Sequence, residues 1–522
     1  MKPSQLTLLS SVLYACSNIA LPWAGIFILF ALVPWILDLN QRKKISEVLW
    51  QTLWMQIAMG LVTFDWVPTS APQVWNQSQF AVFLVYLILG PLAMSFLLIY
   101  SSVRYFLREI FHPLWVAIVG GLVLALSWEY FHFLAVSNAN HLFRIPDLLA
   151  FAKIGGAHFV SFLLVLSSEI AALLYARFSK NHILGRLFLT AAPVAFFVIV
   201  SVVYSRYSEQ EFSETIPIVI AQTLSEVAPT ARDTDTFIRD TIKNEQKKFS
   251  LLFQGKDLQP DSRIFILPEG AVSFLHFFRE APNLKEYHDH FESEVNRLNA
   301  PLFFGAYRRM KDFTSNEFVV IEPSVDGMKT AAFKKRKLMP FGESLPTWLN
   351  TFPGVRKFFR ISELAPGSPA PIFGELGEYR WGGVICNEIF YQEYAREYVE
   401  AGAQFLITIG YERYLQGAGG HDHLLAAAVL RSIENAVPIF KSADYGGTVV
   451  IDMNGRILEE MERGVQGFIA IKAPVGDARG TFYTKNPNTL YYLAAGIFVL
   501  TLLGLARFFR RNGVGKLFTT LQ

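Results

Sequence analysis

Charge is scarce in this 522-residue chain: Asp, Glu, Lys and Arg make up 17% of it, against about 25% in ordinary soluble domains. The deficit excludes a disordered chain and a simple cytosolic enzyme. Net charge is only +3, so no long-range field for nucleic acid is present and none is expected as a partner. Cysteine is scarcer still. Cys16 and Cys386 lie far apart, which argues against a disulfide framework, and two cysteines cannot by themselves make a zinc site. A G-x-G-x-x-G opening a helix and a Walker A loop are both missing, so the nucleotide-cradling motifs are absent and no cofactor is expected.

What is abundant is apolar surface: 52% hydrophobic residues, with 46 Phe and 10 Trp. Runs near the ~20 residues a membrane helix needs fall at roughly 5–21, 23–38, 46–66, 80–100, 113–131, 158–176, 187–204 and 490–508. No A-x-A site follows the first run and a second begins at once, so a cleaved signal peptide is not expected. Glu129 and Glu169 fall inside these runs, where helix ends facing other helices or water would accommodate them. Every second short loop is basic: Arg42, Lys43 and Lys44; Arg104 and Arg108; Arg177, Lys180 and Arg186; and, in the tail, Arg507, Arg510, Arg511 and Lys516. The loop TFDWVPTSAPQVWNQSQ has no Lys or Arg. Both termini are therefore expected in the cytoplasm and the stretch 212–480 on the outer face. The chain divides into a membrane domain at 1–211, a middle domain at 212–480 and a last helix with a basic tail at 481–522.

Within 212–480, strand-like runs at 216–222, 263–269, 301–307, 317–323, 381–386 and 404–410 alternate with helical stretches at about 233–252, 283–299, 390–401 and 420–435. VPIFKSA and TVVIDMNG close the pattern. This alternation indicates a layered α/β domain with its site at the strand C-terminal ends. Three such places carry chemistry: Glu269 after an apolar strand, Lys335 in a basic loop, and Cys386 between a strand and a helix. Singly, each has a plain explanation as a capping acid, a solvated cation or a small buried hydrophobe. Together they can run covalent catalysis. A carboxylate takes the proton, a lysine and a helix N-terminus favour the thiolate, and the lysine also steadies an oxyanion.

These residues resemble the Glu-Lys-Cys triad of the carbon–nitrogen hydrolase (nitrilase) superfamily, an αββα sandwich. The order of parts is similar to one of its families, the apolipoprotein N-acyltransferases. K-x-x-x-x-P-F-G-E spans Lys335 to Glu343, and ICNEIFYQEYAR, LRSIENAVPIFKSADYGGTVVIDMNG, TFDWVPTSAP and KIGGAHFVSFLLV match further motifs. The resemblance implies a polytopic helical membrane domain of about eight helices plus an outer nitrilase-like αββα domain in a bacterial inner membrane. It implies Glu269 as base, Lys335 as oxyanion stabiliser and Cys386 as nucleophile, with Glu343, Glu388, Asn387, Arg431 and Glu434 in support. It further implies a phospholipid acyl donor, a Cys thioester and a diacylated apolipoprotein acceptor, and a monomer is expected. The chain departs from the family at Asn387, where Tyr is usual, and in the loops 409–417 and 443–447. A membrane-tethered amidase, in which water resolves the thioester, is the alternative. Between Glu343 and Arg360, Trp348 and Phe358 stand among cations and two prolines, Pro346 and Pro353, a pattern that suits a mobile arm at a membrane surface.

Overall fold

The computed structural model describes residues 3–18, 21–130, 137–178, 183–212, 214–224, 234–273, 284–310, 313–324, 327–347, 349, 351–359, 361, 363–368, 370–415 and 419–512. Each of the eight apolar runs is helical there. Among the described residues five helical stretches are long and apolar enough to cross a membrane: Ala24–Gln41, Gln79–Leu107, Ala152–Arg177, Phe188–Tyr207 and Thr489–Arg511. Helices Pro3–Ser17, Ile45–Thr63 and Pro113–Tyr130 pack among them. The basic-free loop, read as a connection, contains a short helix at Val67–Trp75. Two differences concern charge. Arg104 lies in helix Phe96–Leu107 rather than in a loop, and it grips Glu169 with two hydrogen bonds, Nε to Oε1 at 2.7 Å and Nη2 to Oε2 at 2.9 Å. Glu169 is thus neutralised inside the bundle, not at a helix end.

The second half is a sandwich of two six-stranded sheets. The strands are β1 Glu214–Gln222, β2 Ile264–Ile266, β3 Leu302–Arg309, β4 Thr314–Ser324, β5 Gly327–Lys334, β6 Phe373–Leu376, β7 Tyr379–Ile385, β8 Phe405–Tyr411, β9 Ile439–Asp444, β10 Val449–Ile451, β11 Ile457–Glu460 and β12 Gly467–Val475. One sheet runs β12-β1-β2-β3-β4-β5, the other β11-β10-β9-β8-β7-β6. Alternation along β1 decides the layers: Ile218 and Ile220 join the core between the sheets, while Val219 and Ala221 face the other way, with Phe249 and Phe291 of helices Thr234–Leu258 and Lys285–Leu298. Trp381 of β7 meets Phe303 of β3 at 5.0 Å and Phe318 of β4 at 5.8 Å, sealing sheet to sheet. Helices Gln392–Glu400 and Gly420–Asn435 complete the αββα order. β5, β6, β11 and β12 were not legible in the sequence, and β12 rather than the 448–455 run closes a sheet, antiparallel to β1.

The two halves are bolted together at a helix break. Helix Ala152–Arg177 leaves helical geometry at Gly155 and Gly156, the latter at φ +73°. A Cβ on Gly156 would sit 2.9 Å from the Tyr483 ring, so only glycine suits the turn and the contact. The freed amide of Ala157 donates to Glu434 Oε1 at 2.7 Å. Within the bundle, a Cβ on Gly60 would lie 2.4 Å from the carbonyl of Gly90, so helices Ile45–Thr63 and Gln79–Ala93 cross backbone to backbone. Gly60→Ala should therefore cost about 1–3 kcal/mol, read as a lower Tm of the purified protein in detergent. Gly496→Ala, on a helix face with nothing within 4 Å, should leave Tm unchanged. Equal Tm values for both variants would rule out the close crossing.

Candidate active site

Glu269 follows β2 in a tight turn closed by Gly270, φ +67°. The turn rests on β3: a Cβ on Gly305 would stand 2.5 Å from Glu269 Cα. The carboxylate is 2% exposed. It accepts from Asn316 Nδ2 at 2.5 Å, from the Tyr411 amide at 2.8 Å and, at 3.4 Å, from the Tyr307 hydroxyl. Burial pushes its pKa up. Lys335 opposes that rise and Glu343 reinforces it.

Lys335 comes directly after β5. Its amide donates to the Asn316 carbonyl at 2.7 Å and its carbonyl accepts from Gly367, which anchors the backbone on both sides. Its ammonium, 1% exposed, meets Glu343 Oε2 at 2.7 Å. Burial alone would lower its pKa, but Glu343, Glu269 and Cys386 more than reverse this, so it stays charged. Asn316 Nδ2 also donates to Glu343 Oε1 at 2.9 Å, so one amide bridges both carboxylates. Asn316 was missed in the sequence. A buried Asn beginning a strand was its only signal, and that signal is weak.

Cys386 comes directly after β7 at φ +50°, a left-handed conformation costly for a residue with a Cβ. The chain was expected to run straight from this strand into a helix whose N-terminus would favour the thiolate. Instead a five-residue 3-10 turn, Cys386–Phe390, intervenes, and the α-helix begins only at Gln392. The helix-dipole contribution is accordingly not available at the sulfur. Burial, followed by the negative charge of Glu269, pushes the thiol pKa well up against the pull of Lys335. A thiol raised in this way needs a proton acceptor beside it before it can serve as a nucleophile.

Glu388, fully buried, accepts from the amides of Ile385 at 2.9 Å, Arg336 at 2.6 Å and Lys337 at 2.9 Å. It therefore ties the lysine loop to the cysteine turn. Asn387 Nδ2 reaches the Lys337 carbonyl at 3.3 Å. Arg431 and Glu434 are not brought to the sulfur. They pair at 2.9 Å between the Gly155–Gly156 break and the Phe390 carbonyl, to which Arg431 donates at 3.3 Å. Trp348 lies outside the described residues. Phe358 is half-buried in helix Pro353–Phe358 and packs 6.3 Å from Trp75. A second buried cluster, also unread in the sequence, adjoins the site beside the divergent loops. Glu412 pairs with Lys441 and, at 3.1 Å, with His421, directly after the Tyr411 amide that holds Glu269.

Glu269, Lys335, Glu343, Cys386 and Asn387 share the wall of one cavity of about 1150 Å³. Its opposite wall is apolar and comes from the membrane helices, through Phe64, Trp66, Ala71, Trp75, Val85, Ile88 and Leu92. Ile88 and Leu92 are also exposed on the outer surface of their helix, 65% and 56%, so the chamber reaches the lipid-facing side.

Residues 254–480 match the carbon-nitrogen hydrolase family. The sandwich is a carbon–nitrogen hydrolase domain. β1, at 214–222, stands before the matched range yet pairs inside its sheet. The whole chain is similar to apolipoprotein N-acyltransferases. That of Bdellovibrio bacteriovorus is 22% identical over 527 residues, covering 95% of this chain and 92% of the relative. That of Borreliella burgdorferi is 23% identical over 391 residues, covering 73% and 71%. Among solved structures, Saccharomyces cerevisiae Nit3, a nitrilase-superfamily member, shares 18% identity at a TM-score of 0.38, over 54% of this chain and 97% of that one.

Asn316→Ala should raise the pKa of Glu269, because the amide favours its charged form. The acid limb of the pH–rate profile for Cys386 acylation should then move to higher pH, with the rate at the plateau lower by about tenfold. An unmoved limb would show that Asn316 does not set the basicity of the carboxylate.

Proposed function

We propose that this protein is an N-acyltransferase that moves a fatty acyl chain from a membrane phospholipid, through a thioester on Cys386, to the N-terminal amine of a diacylglyceryl-cysteine on an apolipoprotein. The supporting observation is the placement of the thiol. Glu269, Lys335 and Cys386 line a chamber whose other wall is built from membrane helices and reaches their exposed apolar side. The names of the relatives supply the acyl acceptor class.

The donor ester enters with its chain along Trp75, Val85 and Ile88. As Cys386 Sγ bonds the ester carbonyl carbon, its proton passes to Glu269. The oxyanion formed is met by the Lys335 ammonium, already charged and desolvated. Collapse breaks the ester C–O bond, and the leaving alkoxide takes the proton from Glu269. In the second half the neutral acceptor amine attacks the thioester and its proton goes to Glu269. The tetrahedral adduct then expels the sulfur, which recovers the proton. Each half-reaction begins and ends with Glu269 in the same state. The basic loops and tail support a reading with cytoplasmic termini and the sandwich facing the outer leaflet.

Phospholipid incubated with the purified protein should leave a fatty-acyl mass on Cys386, which a diacylated peptide discharges as an amide. Cys386→Ala and Glu269→Gln should each lose that adduct while inserting normally. Release of free fatty acid with no amide would favour the amidase instead, and activity in Cys386→Ala would remove the covalent route.

Pro340, Phe341, Pro346, Leu349, Val355 and Phe358 roof the chamber. Trp75 Nε1 donates to the Phe341 carbonyl at 2.7 Å, and Gln77 to that of Phe358 at 2.8 Å. Phe358→Ala should lower acylation from bilayer phospholipid by about tenfold and acylation by a short soluble ester far less. Equal loss on both would make the roof a support of the fold only.

A further inference from the structure

Glu412 stands where the chain leaves β8, one residue after the Tyr411 amide that donates to Glu269. It is buried, as are Lys441 of β9 and His421 of helix Gly420–Asn435. Lys441 Nζ ion-pairs with Glu412 Oε1, and His421 Nδ1 donates to Oε2 at 3.1 Å. The ammonium also donates to the Gly447 carbonyl at 2.9 Å. Two glycines make room for the carboxylate. A Cβ on Gly447, at φ +79°, would stand 2.6 Å from Glu412 Oε2 and 2.7 Å from Lys441 Nζ, and one on Gly410 would stand 3.2 Å from Oε1.

Desolvation of two buried charges offsets much of their attraction, so stability alone does not account for such a pair. Its position does. β8 runs parallel to β9 with Tyr411 opposite Asp444, and the Glu412 amide donates to the Asp444 carbonyl at 3.2 Å. Beyond Glu412 the chain turns away, closed by the Leu415 amide on the Glu412 carbonyl at 2.8 Å. Glu412 is therefore the last residue tied to the sheet, by its backbone to β9 and by its side chain to β9 and the helix. The direction of the Tyr411 N–H is set by the backbone on either side of it. Glu269 belongs to the other sheet, so a shift at this strand end is felt as lost alignment in the 2.8 Å bond between them.

Resting on Glu269 as the proton acceptor of the reaction proposed above, we propose that Glu412 and Lys441 are positioning residues for that base. Their pair, steadied by His421, holds the end of β8 so that the Tyr411 amide stays aimed at Glu269 across the two sheets. The amide favours the charged carboxylate, and the pair brings no net charge of its own to the site. The other groups that face Glu269 are Lys335, Glu343, Cys386, Asn316 and the Tyr307 hydroxyl, and they come from other elements. Altering the pair therefore acts on the base through the strand end.

The test alkylates the full-length protein in phospholipid nanodiscs with iodoacetamide, a small neutral probe that needs no lipid donor, and follows the mass on the Cys386 peptide against pH. Sγ displaces iodide while its proton passes to Glu269, so the rate falls as Glu269 becomes protonated, and Glu269→Gln should abolish this acid limb. Glu412→Asp keeps the charge and withdraws the carboxylate by one methylene. Its acid limb should lie about half a pH unit higher, with the rate on the limb about threefold lower. Adding Lys441→Arg, whose longer side chain reaches the shorter acid, should bring the limb back. Should Glu412→Asp not insert, His421→Leu decides. It removes one of the two partners of the carboxylate, together with Nε2, which has no partner among the described residues, and it should move the limb the same way. A lowered Tm with an unmoved limb would make the pair a support of the fold only and overturn the proposal, as would a limb that stays displaced in the double variant. An acid limb that survives Glu269→Gln would instead overturn Glu269 as the base.

Discussion

A lysine ammonium that is 1% exposed needs opposite charge beside it, and the site is arranged around meeting that need for Lys335. Glu343 meets it directly at 2.7 Å. Glu269 adds a second negative charge, so the trio is one charge in excess when both acids are ionised. Burial first, and this excess of negative charge after it, push Glu269 towards its protonated form and raise the Cys386 thiol. In the proposed reaction a base of this kind would accept a proton readily as the sulfur attacks and give it up readily as a leaving group departs. The same arithmetic accounts for Asn316. Two carboxylates facing one cation repel each other, and an amide donating to both lowers that cost without adding charge.

The second constraint is mechanical. Holding Cys386 at φ +50° costs about 1–2 kcal/mol, and a turn of five residues has few bonds of its own with which to hold it. Glu388 supplies them. By accepting from Ile385, Arg336 and Lys337 it fixes the strand end before the sulfur and the loop after the ammonium with one buried carboxylate. Arg431 adds a brace from behind through the Phe390 carbonyl, and its partner Glu434 reaches the Ala157 amide at the break in a membrane helix. The cysteine turn is therefore braced from the lysine loop and from the membrane domain.

These constraints explain what could be read in the sequence. The buried central strands, such as IPIVIAQ and QFLITIG, are continuous apolar runs because both faces are covered, and they stood out. β5 and β12 lie at the sheet edges, half-exposed, with lysines among their residues, and no run marks them. Glu269, Lys335 and Cys386 were legible as types in distinctive local contexts. Their mutual field was not. The helix-dipole expectation failed because strand-then-helix in sequence does not reveal a 3-10 turn between them. Arg431 and Glu434 were read as site residues from a motif, but helical spacing alone could not say that their pair faces the membrane domain. Arg104 was read as a loop cation because its partner Glu169 lies 65 residues away.

The basic-free loop shows how the halves become one site. Its lack of Lys and Arg was read as a sign of orientation; its structural contribution is the helix Val67–Trp75, whose Trp75 holds the roof through the Phe341 carbonyl. Phe359 stacks edge-on to the same indole at 4.8 Å. A charged residue on that face would be buried against aromatic rings, so the composition of the loop follows from its packing. The thioester proposed above would end in hydrolysis wherever water reached it. Here the wall facing the sulfur is aromatic and aliphatic, contributed by membrane helices, and it offers water few partners. Under the proposed function, transfer rather than hydrolysis would follow from what surrounds Glu269, Lys335 and Cys386.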